Sequence, residues 1–396
     1  MANRSYYTTP MLVITTLIGL FVLVTSSNSS AFITSLANGH LERSFIAYAD
    51  TITTIDRITR ARGPEVRHLI TPDEVRAIYI SSWVAGTPSL RNGLVSFIDS
   101  SPINAVVIDI KDSTGYISFD VNHPLVDSLG TDSTRVPDMT ALIDDLHDRG
   151  IYVIGRLTAF QDPLLSTKKP AWSFTRVDTG ATWTDRKGLS FINPRYEGAW
   201  NYLATIAEAS YNIGFDEINI DYIRYPSDGN ISNIDYGLTD GETRRDVMKR
   251  FYTYLDNRLR VNDGIPISAD IFGLVTSAED DIGIGQYFED IYPHFDAIAP
   301  MVYPSHYSSG FFGYQNPNAH PYEVVKAAMT SATRRASAIN EDPDKLRTWI
   351  QDFSLGTPTY GVGEVRAQIQ ATYDVGLDSY MVWDPKNRYT RSAYTD

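Results

Sequence analysis

Between Arg76 and Trp383 the sequence alternates eight short apolar runs with helix-patterned segments, and few folds accommodate that rhythm. The strand-like runs are expected at Arg76–Trp83, Asn104–Lys111, Ile151–Phe160, Asp216–Tyr225, Pro266–Gly273, Asp296–Tyr303, Arg347–Ser354 and Asp378–Trp383. Helical patterns fall between them at Leu90–Ser100, Met139–Arg149, Gly198–Ile213, Arg244–Val261, Gln286–Tyr292, Tyr322–Asn340 and Gly363–Val375. Gly150 and Gly214 stand where helices are commonly closed. The runs are nearly continuous in apolar residues, as strands buried on both faces are. The pattern fits an α/β fold, a (β/α)8 TIM barrel. A doubly wound open sheet is the alternative, and it lacks the glycine-rich phosphate turn expected after its first strand.

Charge and composition narrow the partners. A net charge of -14 argues against nucleic acid, which is bound by clustered Lys and Arg. The chain has no cysteine, so disulfides, thiolate catalysis and Cys-ligated metals are excluded. Aromatic residues make up 12%, a level that sugar-stacking platforms and an ordinary packed core explain equally well.

At the amino terminus Arg4 precedes an apolar run from Met11 to Val24, which ends in a Ser/Asn-rich stretch. The run is shorter than the roughly 20 residues of a comfortable span and matches the apolar segment of an export signal. Residues 1–31 are therefore expected to be a signal peptide or signal anchor, leaving a secreted protein or one held at the membrane through residues 11–24. Residues 32–71 read as a spacer and residues 72–396 as the barrel. Oligomeric state is not legible.

In a barrel of this class, the loops after the strands build the site. The strand ends carry Asp109, Lys111 and Asp112; Arg156, with Gln161 and Asp162; Asn219, Asp221 and Arg224; Asp270; Tyr303 and His306; Gln351 and Asp352; and Trp383 with Asp384. Asp221 stands out, a carboxylate inside a run of Ile and Tyr that must be paired, solvated or used. Converging carboxylates with aromatics beside them are what glycoside hydrolysis needs: one protonates the leaving oxygen, the other acts as nucleophile or activates water. Structural ion pairs with Lys111, Arg156 and Arg224 are the plainer reading of the same acids. A third is a divalent ion shared by Asp109 and Asp112. The 7 histidines are scattered without zinc-like spacing, and nothing in the residues calls for a cofactor.

Three stretches resemble a known group. They are Phe215–Pro226 (FDEINIDYIRYP), Val106–Gly115 (VVIDIKDSTG) and Ala299–Tyr307 (APMVYPSHY), with Tyr380–Pro385 (YMVWDP) in the place of the final strand. In their chain order they resemble the glycoside-hydrolase-like TIM barrels of the DUF4015 type. That resemblance implies a carbohydrate-active barrel over about Arg76–Tyr389 without naming a sugar. More distantly, Asp216, Asn219 and Asp221 are similar to the acidic ladder of chitinase-like barrels, but the position of their catalytic Glu falls on Ile223. In amylase-like barrels a strand-four Asp is the nucleophile and a strand-five acid the proton donor, which by analogy implies Asp221 and Asp270.

The expectation is thus an exported hydrolase of a cell-envelope or extracellular polysaccharide with Asp221 and Asp270 as catalytic carboxylates. Asp109, Lys111, Arg156, Asn219, Arg224, Tyr303, His306, Asp352, Trp383 and Asp384 are expected to contact substrate, with Trp83 as a further stacking face. A non-catalytic carbohydrate-binding barrel and a metal-dependent polysaccharide deacetylase are the rivals.

Overall fold

A computed structural model describes residues 66–395. The expected export segment at residues 1–31 and the spacer up to residue 65 lie outside the described residues. Eight parallel strands close into a barrel: β1 Arg76–Ile80, β2 Ala105–Lys111, β3 Tyr152–Thr158, β4 Glu217–Asp221, β5 Ile267–Phe272, β6 Ala297–Met301, β7 Thr348–Gln351 and β8 Tyr380–Trp383. Each strand pairs with the next in sequence, and β8 closes on β1 with Arg76 opposite Tyr380. One helix between each pair of strands is labelled, α1 Pro88–Asp99, α2 Met139–Asp148, α3 Glu197–Tyr211, α4 Arg244–Leu255, α5 Phe288–Ile291, α6 Pro321–Ala338 and α7 Val362–Tyr373, and further short helices at Pro124–Leu129 and Pro163–Lys168 lie in the loops after β2 and β3. After β8 the chain makes a 3-10 turn at Arg391–Ala393.

Side chains alternate across each strand, so one set fills the barrel and the other packs under the helices. Ala77, Tyr79, Val107, Tyr152, Ile154, Ala299, Trp349 and Met381 form the inner cluster. Ile78, Val106, Ile108, Val153, Ile218, Ile220, Ile267 and Val382 belong to a larger one shared with the helices. This double burial is why the strands read as unbroken apolar runs.

The barrel floor is polar and centred on Glu217. At the start of β4, Glu217 accepts from Arg347 at 2.7 Å, Ser268 at 2.6 Å and Tyr152 at 3.2 Å. Asp221 ends the same strand four residues later, about 13 Å further along at the usual rise per residue. Ionic groups therefore sit at both ends of β4, and the upper end opens to a cleft.

Local signals explain the element ends. Asp138 caps α2 by accepting from the Ala141 amide at 2.9 Å, and Gly150 leaves α2 with a φ of 73°, a conformation glycine adopts without cost. The first strand is shorter than expected because Ser81 caps a helical turn at Ser82–Ala85, its side chain accepting from the Val84 amide. Trp83 therefore belongs to that turn. The helix expected to run to Val261 is α-helical to Leu255 and widens into π-helical turns over Asp256–Asn262, with Leu255 and Leu259 both buried.

Candidate active site

The site is built from the upper ends of β4 and β5. Pairing of Asn219 with Ser268 and of Ile220 with Ala269 brings Asp221 and Asp270 to the next rung. Alternation turns Asn219, Asp221, Ser268 and Asp270 to the same side, into the barrel mouth. A cleft of about 530 Å3 opens there, bounded by Arg156, Asp221, Arg224, Asp270, Tyr303 and Trp383, with walls from Tyr222, Phe272, His306, Tyr307, Phe311 and Trp349.

Arg156 is the hub of the floor. Its Nη1 donates to Asp109 Oδ1 at 2.7 Å, its Nε to Asp221 Oδ2 at 3.0 Å, and its Nη2 also donates to Asp221 Oδ2. Burial works against the guanidinium charge, but the Asp221 and Asp109 carboxylates outweigh it and hold Arg156 firmly protonated. Asp109 in turn accepts from the Tyr79 hydroxyl at 2.6 Å. Burial pushes the Asp109 carboxyl upward, against the pull of Arg156. Asp109 thus sits behind the cleft and orients Arg156.

Asp221 accepts every hydrogen bond it makes among the described residues, from Arg156 and from the Tyr222 amide at 2.5 Å. The next residue, Tyr222, has a φ of 49°, a left-handed conformation that a bulky side chain rarely adopts. Strain of this kind gathers at functional sites, and here it ends β4 directly after the carboxylate.

Asp270 has a different environment. Its Oδ1 accepts from Trp349 Nε1 at 2.7 Å and from Asn219 Nδ2 at 3.0 Å, while Oδ2 has no hydrogen bond among the described residues. Burial, and then the charge of Asp221, push its carboxyl up to about 8. At neutral pH Asp270 is therefore mainly the protonated member of the pair. Asn219 lies beneath it as a positioning donor.

The upper rim is aromatic and cationic. Trp383 stacks on Tyr79 with ring centroids 4.1 Å apart, and Arg156 lies 5.2 Å from its ring centre. Tyr303 meets His306 edge-on at 5.4 Å, and burial keeps the Tyr303 phenol protonated. Tyr307 packs over Gly273, where a Cβ would stand 2.6 Å from the Met301 carbonyl and collide with the Tyr307 hydroxyl. Arg224 lies over the Tyr222 and Phe272 rings, at 4.9 and 4.4 Å.

Five of the expected substrate contacts do not line the cleft: Asp109 and Asn219 lie behind it, and Lys111, Asp352 and Asp384 are turned away from it. A register shift between Asp109 and Lys111 places Lys111 opposite Leu157, on the helix side of β2. There it is fully buried, donating to the Thr158 carbonyl at 2.7 Å and paired with Asp162 at 2.9 Å. Asp352 follows β7, one residue past the inward-facing series of Trp349 and Gln351. It holds the C-terminal segment by accepting from the Thr390 amide at 2.7 Å and the Tyr394 hydroxyl at 2.8 Å. Asp384 similarly follows Trp383 and caps a turn, accepting from the Lys386 amide at 2.5 Å. Trp83 is 62% exposed, outside the cleft wall, with Arg135 over its ring. Asp109 and Asp112 do not converge either, because Asp112 pairs with Arg135 while Asp109 pairs with Arg156.

Sequence reasoning passed over Tyr79, Trp349, Tyr222 and Phe272. Trp349 carried a usable signal, since it lies two residues before Gln351 on the face that the strand period turns inward. For Tyr222 and Phe272 nothing in the sequence distinguishes a wall residue from a core one.

Residues 77–389 match the family model DUF4015, "Putative glycosyl hydrolase domain". A hypothetical protein from Ruminiclostridium thermocellum ATCC 27405 is 33% identical over 49% of this chain and 96% of its own, with a TM-score of 0.45. The PgaB (BpsB) glycoside hydrolase domain from Bordetella bronchiseptica superposes with a TM-score of 0.58 at 12% identity, covering 81% of this chain and 99% of that one. The catalytic domain of the Paenibacillus polymyxa beta-amylase gives 0.50 at 12% identity, over 83% and 96%. At such identity these two likenesses concern the fold. No curated protein matches the sequence.

Proposed function

This chain belongs to the DUF4015 family of glycosyl hydrolase domains, and we propose that it cleaves a glycosidic bond held between Asp221 and Asp270. The observation that carries this reading is the unlike surroundings of two neighbouring carboxyls, one held by the Arg156 fork and the other by Trp349 and Asn219. Asp221 receives the Arg156 fork, whereas burial holds a proton on Asp270 up to about pH 8. Pairs whose environments push them apart in this way divide into acid and base or nucleophile.

On this reading, Asp270 Oδ2 delivers its proton to the leaving oxygen as the glycosidic bond breaks. Asp221 attacks the anomeric carbon and forms a glycosyl ester. Water then opens the ester, with the Asp270 carboxylate taking its proton, which restores both groups. Arg156 keeps Asp221 oriented, Trp383 and Tyr303 offer faces to sugar rings, and His306 stands at the rim. The Arg4-flanked apolar run at residues 11–24 supports a glycan substrate outside the cytoplasm, with residues 1–31 as signal or anchor, 32–71 as spacer and 72–396 as the catalytic barrel.

The test is reducing-sugar release across a panel of α- and β-glucans, uronate polymers, peptidoglycan and chitin. The parent is compared with Asp221→Asn, after circular dichroism shows both folded. Turnover by the parent that the variant loses supports the proposal. Saturable binding of one glycan by both, with turnover by neither, would leave a carbohydrate-binding barrel instead.

A further inference from the structure

Arg224 is 8% exposed, lies against the cleft, and among the described residues has no carboxylate within 4.0 Å. Arg156, the other guanidinium of the cleft, has two. A buried guanidinium has five donors to satisfy, and solitary buried charge is costly. Only Nη1 of Arg224 is engaged by protein, donating to the Tyr225 carbonyl at 3.0 Å and to Ser227 Oγ at 3.2 Å. Its Nε and Nη2 make no hydrogen bond among the described residues. The planar group lies over the Tyr222 and Phe272 rings, at 4.9 and 4.4 Å, and these contacts restrict its orientation before anything binds.

We propose that Arg224 receives the carboxylate of an acidic sugar, and that the substrate is a glycan containing uronic-acid-type units. Two free donors of one planar fork match the two oxygens of a carboxylate, which is the geometry arginine reads best. Arg156 is engaged directly by Asp109 and Asp221, whereas Arg224 feels Asp221 and Asp185 only at longer range and has no carboxylate in ion-pair contact among the described residues. Its place three residues beyond Asp221 puts the acidic unit close to the bond being cut. The acidic chain as a whole, at -14, would repel a densely charged polyanion, so recognition of single acidic units has to be local. This inference rests on the glycan reading above and narrows it.

The test is calorimetric titration of full-length Asp270→Asn, which removes the proposed acid so that binding is read without turnover. The probes are trisaccharides of galacturonate, glucuronate and mannuronate, each beside its carboxyl-reduced counterpart and a 6-sulfated one. At least one acidic trisaccharide binds roughly ten- to a hundredfold more tightly than its reduced form. Adding Arg224→Met brings that ratio close to one, and Arg224→Lys restores part of it. Equal affinity for acid and reduced forms, no binding of any acid, a preference that survives Arg224→Met, or a preference for the sulfated form would each overturn the proposal. The first ratio is read in Asp270→Asn with Arg224 intact, after circular dichroism shows that variant folded, so misfolding of an Arg224 variant cannot hide the answer. Hydrolysis of neutral glycans without acid preference would sink this inference alone. Acid preference with no hydrolysis by the parent would sink the hydrolase reading alone.

Discussion

Trp349 on β7 donates its indole N–H to Asp270 on β5 across 2.7 Å, reaching over β6 through the barrel mouth. The bond steadies the ionised form of Asp270, against burial and the charge of Asp221, which favour the protonated form. Trp349→Phe removes the donor and keeps an aromatic ring. The Asp270 proton is then held to still higher pH, so the alkaline limb of kcat/KM moves upward. A pH–rate profile of parent and variant checks this, and a downward or absent shift counts against Asp270 as the acid. The smaller ring also costs stability, about 1–3 kcal/mol.

Asp270→Asn retains a carbonyl oxygen that can accept from Trp349 and Asn219. Its rate on the natural glycan falls about 10²- to 10⁴-fold with the general acid removed. Stability changes in the other direction. In the folded protein Asp270 keeps its proton to about pH 8, and in the unfolded chain it loses it near pH 4. Between those values the unfolded state binds fewer protons, so parental stability falls as pH rises, by at most about 1.4 kcal/mol per pH unit. The variant lacks that slope. Urea melts at pH 5 and pH 8 show the variant gaining on the parent with pH if Asp270 is buried and protonated as described.

Lys111 is a structural residue. Lys111→Met leaves Asp162 buried without its cation, and loss of one partner of a buried pair costs about 3–5 kcal/mol. The variant melts earlier, while the turnover of its folded fraction stays within a few-fold of the parent. Activity lost at unchanged melting temperature would return Lys111 to the site.

Arg156→Lys keeps a positive charge but loses the fork that joins Asp109 to Asp221. A lysine satisfies one carboxylate at a time, so kcat falls by at least tenfold and the melting temperature drops. Parental turnover in this variant would show that orientation of Asp221 by the fork is not needed.

The barrel was legible because eight short apolar runs, alternating with helical patterns, leave little choice of architecture. Asp221 and Asp270 were legible for a related reason, since a carboxylate on an apolar strand is conspicuous. Lys111, Asp352 and Asp384 look equally conspicuous in one dimension. Their exclusion depends on strand face, and for Lys111 on an irregularity between Asp109 and Lys111 that shifts the count by one. Trp349 was hidden for the opposite reason, because an aromatic residue on a strand reads as core until barrel closure aims its N–H at a carboxyl. Arg224 was named, but its lack of a carboxylate partner is a property of three-dimensional surroundings that spacing does not encode.

The division of labour between Asp221 and Asp270 is tested most directly by leaving-group dependence. Parent, Asp270→Asn and Asp221→Asn are each assayed on the natural glycan and on the 2,4-dinitrophenyl glycoside of the sugar it releases. A dinitrophenolate departs without a proton, so Asp270→Asn should retain most of the first-step rate on that substrate while losing the glycan, and Asp221→Asn should lose both. Equal losses on the two substrates in Asp270→Asn, or turnover of either by Asp221→Asn, would contradict the assignment.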